Sequence, residues 1–300
     1  MLSYLHGYHA GNAADALKHS ALIFCLAYLK SKEKPLLCVD THAGAGWYKL
    51  GGDAALLNNE WEKGLGLLLG QSRDAPALPA MVDAYIKFFA AEQNGSGMQN
   101  RYAGSPAIMA RFLEKGDRLV CFELHPREFE VLSKSMEAMR KAPGKGNPVI
   151  EVRREDGLAG LKSLLPPPSR RALILIDPSW EEQSEFETVP RTVREALKRF
   201  PQGTYIIWYP LLARPKGKAA AAIRDSLLGL SDGLSNGECC RVELYTAVIN
   251  DSPMSNSPRG MYGSGLVIYN PPWTLRPALE ESMPYLAKVL GGRDGGWDLQ

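Results

Sequence analysis

From residue 117 onward, the sequence alternates short apolar segments with spacers that are long enough for helices. Several of these segments are apolar almost without interruption, which is typical of strands that are covered by helices on both faces of a sheet. The pattern therefore predicts an α/β fold with a doubly wound, mostly parallel, Rossmann-like sheet. The segments are "DRLVCFEL", "NPVIEVRRED", "RALILID", "GTYIIWYP", "CRVELYTAVI" and "GLVIYN".

The last two segments are joined differently from the others. Their connection, "NDSPMSNSPRGMYGS", is polar and rich in glycine and proline, so it does not supply a crossover helix. We predict that these two strands form a hairpin, which places an antiparallel strand in the sheet. We also interpret Cys239 and Cys240 as the first residues of the strand before the hairpin.

The first 115 residues contain a helix, a strand and a mostly helical segment. Residues Ala13 to Lys30 have apolar side chains at helical spacing and Asp15 near the start, which predicts a helix. The segment "PLLCVDTHAGAG" then predicts a buried strand that ends in a glycine turn. From Trp47 to Leu113 the pattern is helical with two polar breaks. We therefore expect three parts: residues 1–48 with the N-terminal motif, first helix and first strand, a helical insertion at 49–115, and the remainder of the core at 116–300.

Charge and cysteine content exclude several classes of protein. The chain has 35 Lys and Arg against 33 Asp and Glu, so any contact with nucleic acid must come from local basic clusters rather than from net charge. Its five cysteines lack C-x-x-C spacing, which favours free thiols over disulfides or a zinc site. The N-terminus lacks a leader pattern, and no apolar run reaches the roughly 20 residues of a membrane span. We expect a cytoplasmic protein with no metal and no membrane attachment.

The ends of the first three predicted strands carry glycine or acidic residues. In a doubly wound sheet the ligand lies outside the carboxyl ends of the strands, near the point where the strand order reverses. Gly44 and Gly46 let the backbone approach a ligand closely, Glu123 can accept both ribose hydroxyls of a nucleoside, and Asp156 can meet an adenine amino group. Each feature alone is also consistent with a tight turn or a solvated carboxylate. Together they favour S-adenosylmethionine, whereas the missing third glycine argues against a dehydrogenase.

Two strand ends carry similar motifs, "DPSW" at residues 177–180 and "NPPW" at residues 270–273. Enzymes that methylate an exocyclic amino group need hydrogen-bond acceptors for its N–H groups, because the nitrogen lone pair is delocalised into the ring. In "DPSW", the Asp177 carboxylate and the Pro178 carbonyl are such acceptors, and Trp180 offers a ring for stacking on the base. An ordinary Asp-Pro turn with a packed tryptophan is the alternative interpretation of the same residues.

The order of the strands favours the first motif. Asp177 ends the fourth predicted strand, which lies beside the first strand at the switch point, where the cofactor methyl group should be. Asn270 ends the last strand, which lies farther along the sheet. We therefore predict that "DPSW" is the catalytic motif. We interpret Pro271 and Pro272 as a stiff exit from the sheet, with Trp273 in the core.

Distinctive short motifs also occur in a fixed order along nearly the whole chain. They are "LSYLHGYHAGNAADALKH" at residues 2–19, "DTHAGAGWY" at 40–48, "YAGSP" at 102–106, "ELHP" at 123–126, "DG" at 156–157, "SRRALILIDPSW" at 169–180, "WYP" at 208–210, "RGM" at 259–261 and "NPPW". This set resembles the RlmJ family of 23S ribosomal RNA adenine-N6 methyltransferases. The resemblance implies a class I methyltransferase fold with a mostly parallel seven-stranded sheet, an antiparallel last strand and a helical insertion.

The resemblance also implies an activity and a set of functional residues. A similar protein would be a monomer without an obligate protein partner. It would use S-adenosylmethionine, without a metal, to methylate one adenine of 23S ribosomal RNA that is not yet assembled into the subunit. Asp177 matches the catalytic acid, and Tyr4 matches a residue near the substrate base. The expected cofactor contacts are His19, His42, Ser105, Glu123, Asp156, Gly157 and Asp177.

The chain departs from the family pattern at three positions near these residues. Ser179 stands where the family has the second proline of Asp-Pro-Pro-Tyr, which predicts a looser catalytic loop, and Trp180 replaces the tyrosine. Leu5 replaces a usual arginine, which removes one phosphate contact. The candidates for RNA contact are Tyr4 and the basic side chains of "RPKGK", namely Arg214, Lys216 and Lys218.

Two alternative functions are consistent with the same motifs. One is an amino-methyltransferase that acts on DNA adenine or on a protein glutamine, although the sequence lacks the basic stripe that a DNA enzyme would use. The other is a catalytically silent protein that binds cofactor and RNA. The feature that favours this alternative is Ser179, because it departs from the catalytic motif of the family. This alternative predicts cofactor binding without turnover.

Overall fold

The computed structural model describes residues 7, 9–50, 59–71, 77–94, 100–141, 146–213, 217–231, 238–247 and 260–300. Strands within these residues form one large sheet and one two-stranded sheet. The strands are β1 (Leu37–Asp40), β2 (Trp47–Lys49), β3 (Arg101–Ala103), β4 (Arg118–Phe122), β5 (Val149–Arg153), β6 (Ala172–Ile176), β7 (Thr204–Leu212), β8 (Cys239–Tyr245), β9 (Met261–Tyr269) and β10 (Gly296–Leu299).

Helices alternate with most of these strands, as the sequence pattern predicts. The first helix has the bounds expected from its periodicity, and the Asn12 side chain caps it by accepting the N–H of Asp15. The helices are α1 (Ala13–Lys30), α2 (Leu65–Gln71), α3 (Ala80–Asn94), α4 (Ser105–Phe112), α5 (Pro126–Lys141), α6 (Gly157–Leu161), α7 (Glu185–Arg199), α8 (Gly217–Leu228) and α9 (Leu275–Gly291). None of the described helices is long and apolar enough to cross a membrane.

The large sheet has the strand order β10-β8-β9-β7-β6-β1-β4-β5. Strands β5, β4, β1, β6 and β7 are parallel, and β9 lies antiparallel to both β7 and β8. The predicted fold class and hairpin are confirmed, and Cys239 and Cys240 do begin β8. Because the order reverses at β1, the carboxyl ends of β1 and β6 border the crevice where such sheets bind ligands.

The number of strands differs from the prediction. Among the described residues the large sheet has eight strands rather than seven, because β10 adds an antiparallel edge next to β8. The segment "GWDL" is short and only partly apolar, so its sequence carries no clear strand signal. Its pairing is instead supported by side chains, since Arg241 on β8 forms an ion pair with Asp298 on β10.

Alternate side chains of the strands enter two cores, one on each face of the sheet. Cys38 and Leu173 belong to the core shared with α1, α3, α4, α5 and α9. Val39 and Ile174 belong to the core shared with α6 and α7. Both faces are therefore covered, which explains why the central strands are apolar without alternation.

The described part of the predicted insertion packs on the same side as α1. Helices α2 and α3 contact α9, α3 also contacts α1, and α4 contacts β1 and β4. A close backbone contact fixes this arrangement: a Cβ on Gly64 would lie 2.0 Å from the carbonyl oxygen of Gly11. The division into parts at residues 48 and 115 stays a prediction.

Candidate active site

A cavity of about 540 Å³ opens at the carboxyl ends of β1, β4 and β6. This volume lies within the ~300–1,000 Å³ typical of small-molecule sites. Gly46, which was predicted together with Gly44, is not part of the cavity lining. The other residues predicted from strand ends or from the resemblance to contact the cofactor all line the cavity. These residues are His19, His42, Gly44, Ser105, Glu123, Asp156, Gly157 and Asp177.

The glycine turn after β1 is tied to the acid after β4. Gly44 has a φ of 59°, a left-handed conformation that favours glycine, and its N–H donates to Glu123 Oε2 at 2.8 Å. The other carboxylate oxygen, Glu123 Oε1, accepts the N–H of His125 at 2.7 Å. Burial raises the pKa of Glu123, and these backbone donors oppose the rise. The carboxylate is therefore held in a fixed orientation at the cavity wall.

Asp156 is the N-cap of the helix that follows it. Its Oδ1 caps α6 by accepting the N–H of Leu158 at 2.8 Å, and the capping uses only this oxygen. Gly157 follows, and a Cβ at this position would lie 2.1 Å from the carbonyl oxygen of Thr41. A side chain at residue 157 would force the loops after β1 and β5 apart, so glycine here keeps the two sides of the cavity together.

Asp40, the last residue of β1, is fully buried beside the cavity. Its carboxylate is hydrogen-bonded to the Ser105 hydroxyl and accepts the N–H of His42 at 3.2 Å. Burial raises the pKa of Asp40 to about 7, and the nearby Asp177 adds to the rise. Burial lowers the pKa of His42 to about 4, so its imidazole is neutral at pH 7. The pKa values of Asp40 and His42 are thus strongly shifted, as is common for titratable groups at functional sites.

The structure adds a residue that the sequence patterns did not identify, Lys18. Its ammonium lies 2.8 Å from Asp15 Oδ1 and 2.5 Å from Asp177 Oδ2, and only 3% of the side chain is exposed. Burial by itself lowers the pKa of Lys18, but the two carboxylates outweigh this effect and raise it above its usual value. Lys18 therefore holds the carboxylate of the predicted catalytic motif in place. Lys18 is itself held by Asp15, which lies in the first turn of α1.

His19 is the next residue of α1, about 100° further round the helix. Its Nδ1 lies 2.6 Å from the hydroxyl of Tyr102, and the two rings stack with centroids 5.6 Å apart. Tyr102 lies on β3, at the end of the predicted insertion. The insertion therefore contributes directly to the position of a predicted cofactor contact.

Trp180 does not present the open ring that the sequence predicted. Only 2% of its surface is exposed, its Nε1–H donates to the carbonyl oxygen of Trp208 at 3.2 Å, and its ring packs edge-on against Phe186. Its φ of 57° is a left-handed conformation that costs roughly 1–2 kcal/mol for a residue of this type, so packing must hold it. Trp208 is the more exposed ring on the cavity wall, with Lys18 Nζ 5.8 Å from its centroid.

The second motif, "NPPW", follows β9 and lies at the amino ends of the parallel strands, opposite the cavity. Because β9 is antiparallel to β7, its last residues pair with the first residues of β7, far from the cavity mouth. The Asn270 side chain there donates to the carbonyl oxygens of Pro201 and Gly203, both at 2.7 Å. The prediction that Trp273 enters the core is wrong, since its side chain is 73% exposed. Trp273 instead lies at the surface, in the turn before α9.

The predicted RNA contacts fall mostly outside the described residues, as Tyr4, Arg214 and Lys216 do. Lys218 is described and is exposed near the start of α8. These assignments stay predictions.

Comparisons with known proteins identify relatives along the whole chain. A family model described as "Ribosomal RNA large subunit methyltransferase D, RlmJ" matches residues 33–300. "Ribosomal RNA large subunit methyltransferase J" of Haemophilus influenzae is 36% identical over 307 residues, covering 100% of this chain and 98% of the relative. The protein of the same name from Escherichia coli is 37% identical and covers 97% and 94%. A crystal structure of a Legionella pneumophila protein, 30% identical, superposes with a TM-score of 0.78 over 97% of this chain and 98% of that one.

Proposed function

We propose a specific reaction for this chain, which belongs to the family described as ribosomal RNA large subunit methyltransferase D, RlmJ. In this reaction the protein transfers a methyl group from S-adenosylmethionine to the N6 atom of one adenine in 23S ribosomal RNA. The observation that carries the proposal is that Glu123 and Asp156, two acids suited to a nucleoside, share one cavity with the Asp177 motif.

The donor set of the cavity fits S-adenosylmethionine. The two oxygens of Glu123 accept backbone N–H groups and together retain acceptor capacity for a ribose hydroxyl. Asp156 has an oxygen that its helix cap does not use. Gly44 and Gly157 allow backbone and ligand to approach closely. The cofactor supplies an electrophilic methyl group, and the acceptors described next supply the base orientation.

Asp177 and Pro178 orient the amino group of the substrate base. The Asp177 carboxylate directly follows β6, and Lys18 fixes it through Oδ2. The Pro178 carbonyl, one residue on, is the second acceptor. Together they accept hydrogen bonds from the two N–H groups of adenine N6, which directs the nitrogen lone pair at the methyl group. Trp208 supplies a partly exposed ring on the cavity wall against which the base can stack.

The substrate in this proposal is RNA that is not yet part of the assembled subunit, because a base must leave its helix or loop to enter the cavity. Tyr4 contacts the substrate base, and phosphate contacts come from Arg214, Lys216 and Lys218. The enzyme acts as a cytoplasmic monomer and needs no protein partner. DNA adenine or protein glutamine as substrate is the main alternative, since the motif also suits those amino groups.

The test compares methyl transfer to three acceptors: protein-free 23S RNA from cells lacking this enzyme, assembled large subunits from the same cells, and DNA. Tritium from labelled S-adenosylmethionine should enter free RNA faster than subunits, and should not enter DNA. Asp177→Ala should reduce transfer at least ~100-fold, whereas Asn270→Ala should leave it unchanged.

Two results would contradict the proposal. Preferential labelling of DNA or of assembled subunits would identify a different substrate. Cofactor binding without transfer to any of these acceptors would instead favour the silent binding protein.

A further inference from the structure

The loop after Asp177 carries Ser179 where the family pattern has a proline. In the family pattern a proline at the position of Ser179 stiffens this loop. Here the Ser179 hydroxyl accepts the N–H of Glu181 at 3.3 Å and lies 3.5 Å from Glu185 Oε2. A proline cannot make either contact, because it has no hydroxyl group.

Glu185, the first residue of α7, completes this network. Its half-buried carboxylate accepts the backbone N–H groups of Trp180 and Glu182 in addition to the Ser179 hydroxyl. Three consecutive N–H groups of the loop, those of residues 180, 181 and 182, therefore donate to either Glu185 or Ser179. Charge-assisted hydrogen bonds of this kind are the stronger ones.

The network acts between two fixed ends of the loop. At the start, Lys18 holds the Asp177 carboxylate. At residue 180, the tryptophan has a left-handed φ and its indole donates to Trp208. A non-glycine residue keeps such a conformation only where its surroundings require it. The Glu185 carboxylate accepts the backbone N–H of Trp180 and so stabilises this backbone conformation.

We propose that Glu185 is a positioning residue that, with Ser179, replaces the missing proline and fixes the Pro178 carbonyl for methyl transfer. Its effect on catalysis rests on the proposed function, whereas its effect on the loop does not. Glu185 need not contact the substrate. It acts by holding the loop that does.

The first test measures the loop without reference to activity. Amide hydrogen exchange of the segment 178–184 is compared in the wild type, Glu185→Ala, Glu185→Gln and Glu187→Ala, by mass spectrometry or NMR. Glu187 is exposed on the same helix, so Glu187→Ala is the matched control. Glu185→Ala should accelerate exchange at residues 180 and 182 by ~10-fold or more. Glu185→Gln keeps one acceptor oxygen and should give an intermediate rate, and the control should match the wild type.

The second test separates positioning from general stability. Glu185→Ala should lower kcat ~10-fold or more, with the dissociation constant of S-adenosylmethionine and the KM for RNA within about twofold of the wild type. Ser179→Pro in the Glu185→Ala background should restore most of kcat, because proline fixes φ without needing the carboxylate.

Several outcomes would overturn the inference. Unchanged exchange in Glu185→Ala would show that the carboxylate does not hold the loop. A fall in kcat that Ser179→Pro does not repair, or that Glu187→Ala shares, would show that Glu185 does not act through residue 179. If the wild type transfers no methyl group to RNA, the proposed function fails, while the exchange experiment still decides whether Glu185 holds the loop.

Discussion

Replacement of Lys18 by methionine should destabilise the folded protein strongly. Lys18 is 3% exposed and its ammonium serves two carboxylates, Asp15 at 2.8 Å and Asp177 at 2.5 Å, which are themselves 1% and 11% exposed. Methionine keeps the length of the side chain but removes the positive charge. Two nearly buried carboxylates then lack their counter-charge, and the loss of one partner of a buried ion pair costs about 3–5 kcal/mol.

The magnitude can be checked by urea unfolding followed by circular dichroism, with the free energies taken at equal m-value. Lys87→Met is the matched control, because Lys87 pairs with Asp83 at 2.7 Å but is 75% exposed. An exposed pair of this kind contributes at most about 0.5 kcal/mol. Asp177→Asn in the Lys18→Met background should recover part of the loss, since one unpaired charge is removed, with a coupling of about 1–3 kcal/mol.

The reasoning is refuted if Lys18→Met costs no more than Lys87→Met. It is also refuted if the effects of Lys18→Met and Asp177→Asn are simply additive, because the two groups would then not interact. The stability due to Lys18 also has a defined pH dependence. Its pKa is raised in the folded state, so the contribution is complete below the usual lysine pKa and declines only as the pH rises above it.

Three further predictions concern single residues. Trp180→Ala should cost about 3–5 kcal/mol of unfolding free energy because the side chain is buried, whereas Trp273→Ala at the exposed motif should change it by less than about 0.5 kcal/mol. Gly157→Ala should destabilise the protein and weaken S-adenosylmethionine binding, because the new Cβ would lie 2.1 Å from a backbone oxygen. Calorimetry measures both effects. In the control Gly70→Ala the new Cβ meets nothing within 4 Å, so this change should be neutral or stabilising. Burial lowers the pKa of His42 to about 4, so this residue makes the wild type lose stability as the pH falls from about 6.5 to 4. His42→Gln removes this contribution, so thermal melts of the variant should show a smaller loss of stability over the same range. An equal acid response of both proteins would contradict this last expectation.

Much of the sheet could be predicted from the sequence because its central strands are buried on both faces. On β1, Cys38 enters one core and the next residue, Val39, enters the other. Both positions must therefore be apolar, so the strand is an uninterrupted apolar run. Strand β10 escaped prediction because it pairs with β8, and residues that meet across this pair, such as Arg241 and Asp298, are far apart in sequence. Such contacts leave no local pattern.

The candidate site shows the same division. Residues at strand ends, such as Glu123 and Asp177, were found because topology fixes where strand ends meet. Lys18 was missed because a lysine three positions after Asp15 is usually part of a solvated helix face. Its burial results from tertiary contacts, since the ammonium lies against Asp177 and over the ring of Trp208. Trp180 is buried and Trp273 is exposed, which is the reverse of the sequence-based expectation for both rings.

The most direct test of the proposed reaction identifies the methylated atom. Protein-free 23S RNA is incubated with S-adenosylmethionine that carries a trideuterated methyl group, digested to nucleosides and analysed by mass spectrometry, for the wild type, Asp177→Ala and Asn270→Ala. The proposal predicts deuterated N6-methyladenosine as the single labelled nucleoside for the wild type and Asn270→Ala, and its loss in Asp177→Ala. Label on a different nucleoside or on ribose, or equal labelling by Asp177→Ala, would contradict it.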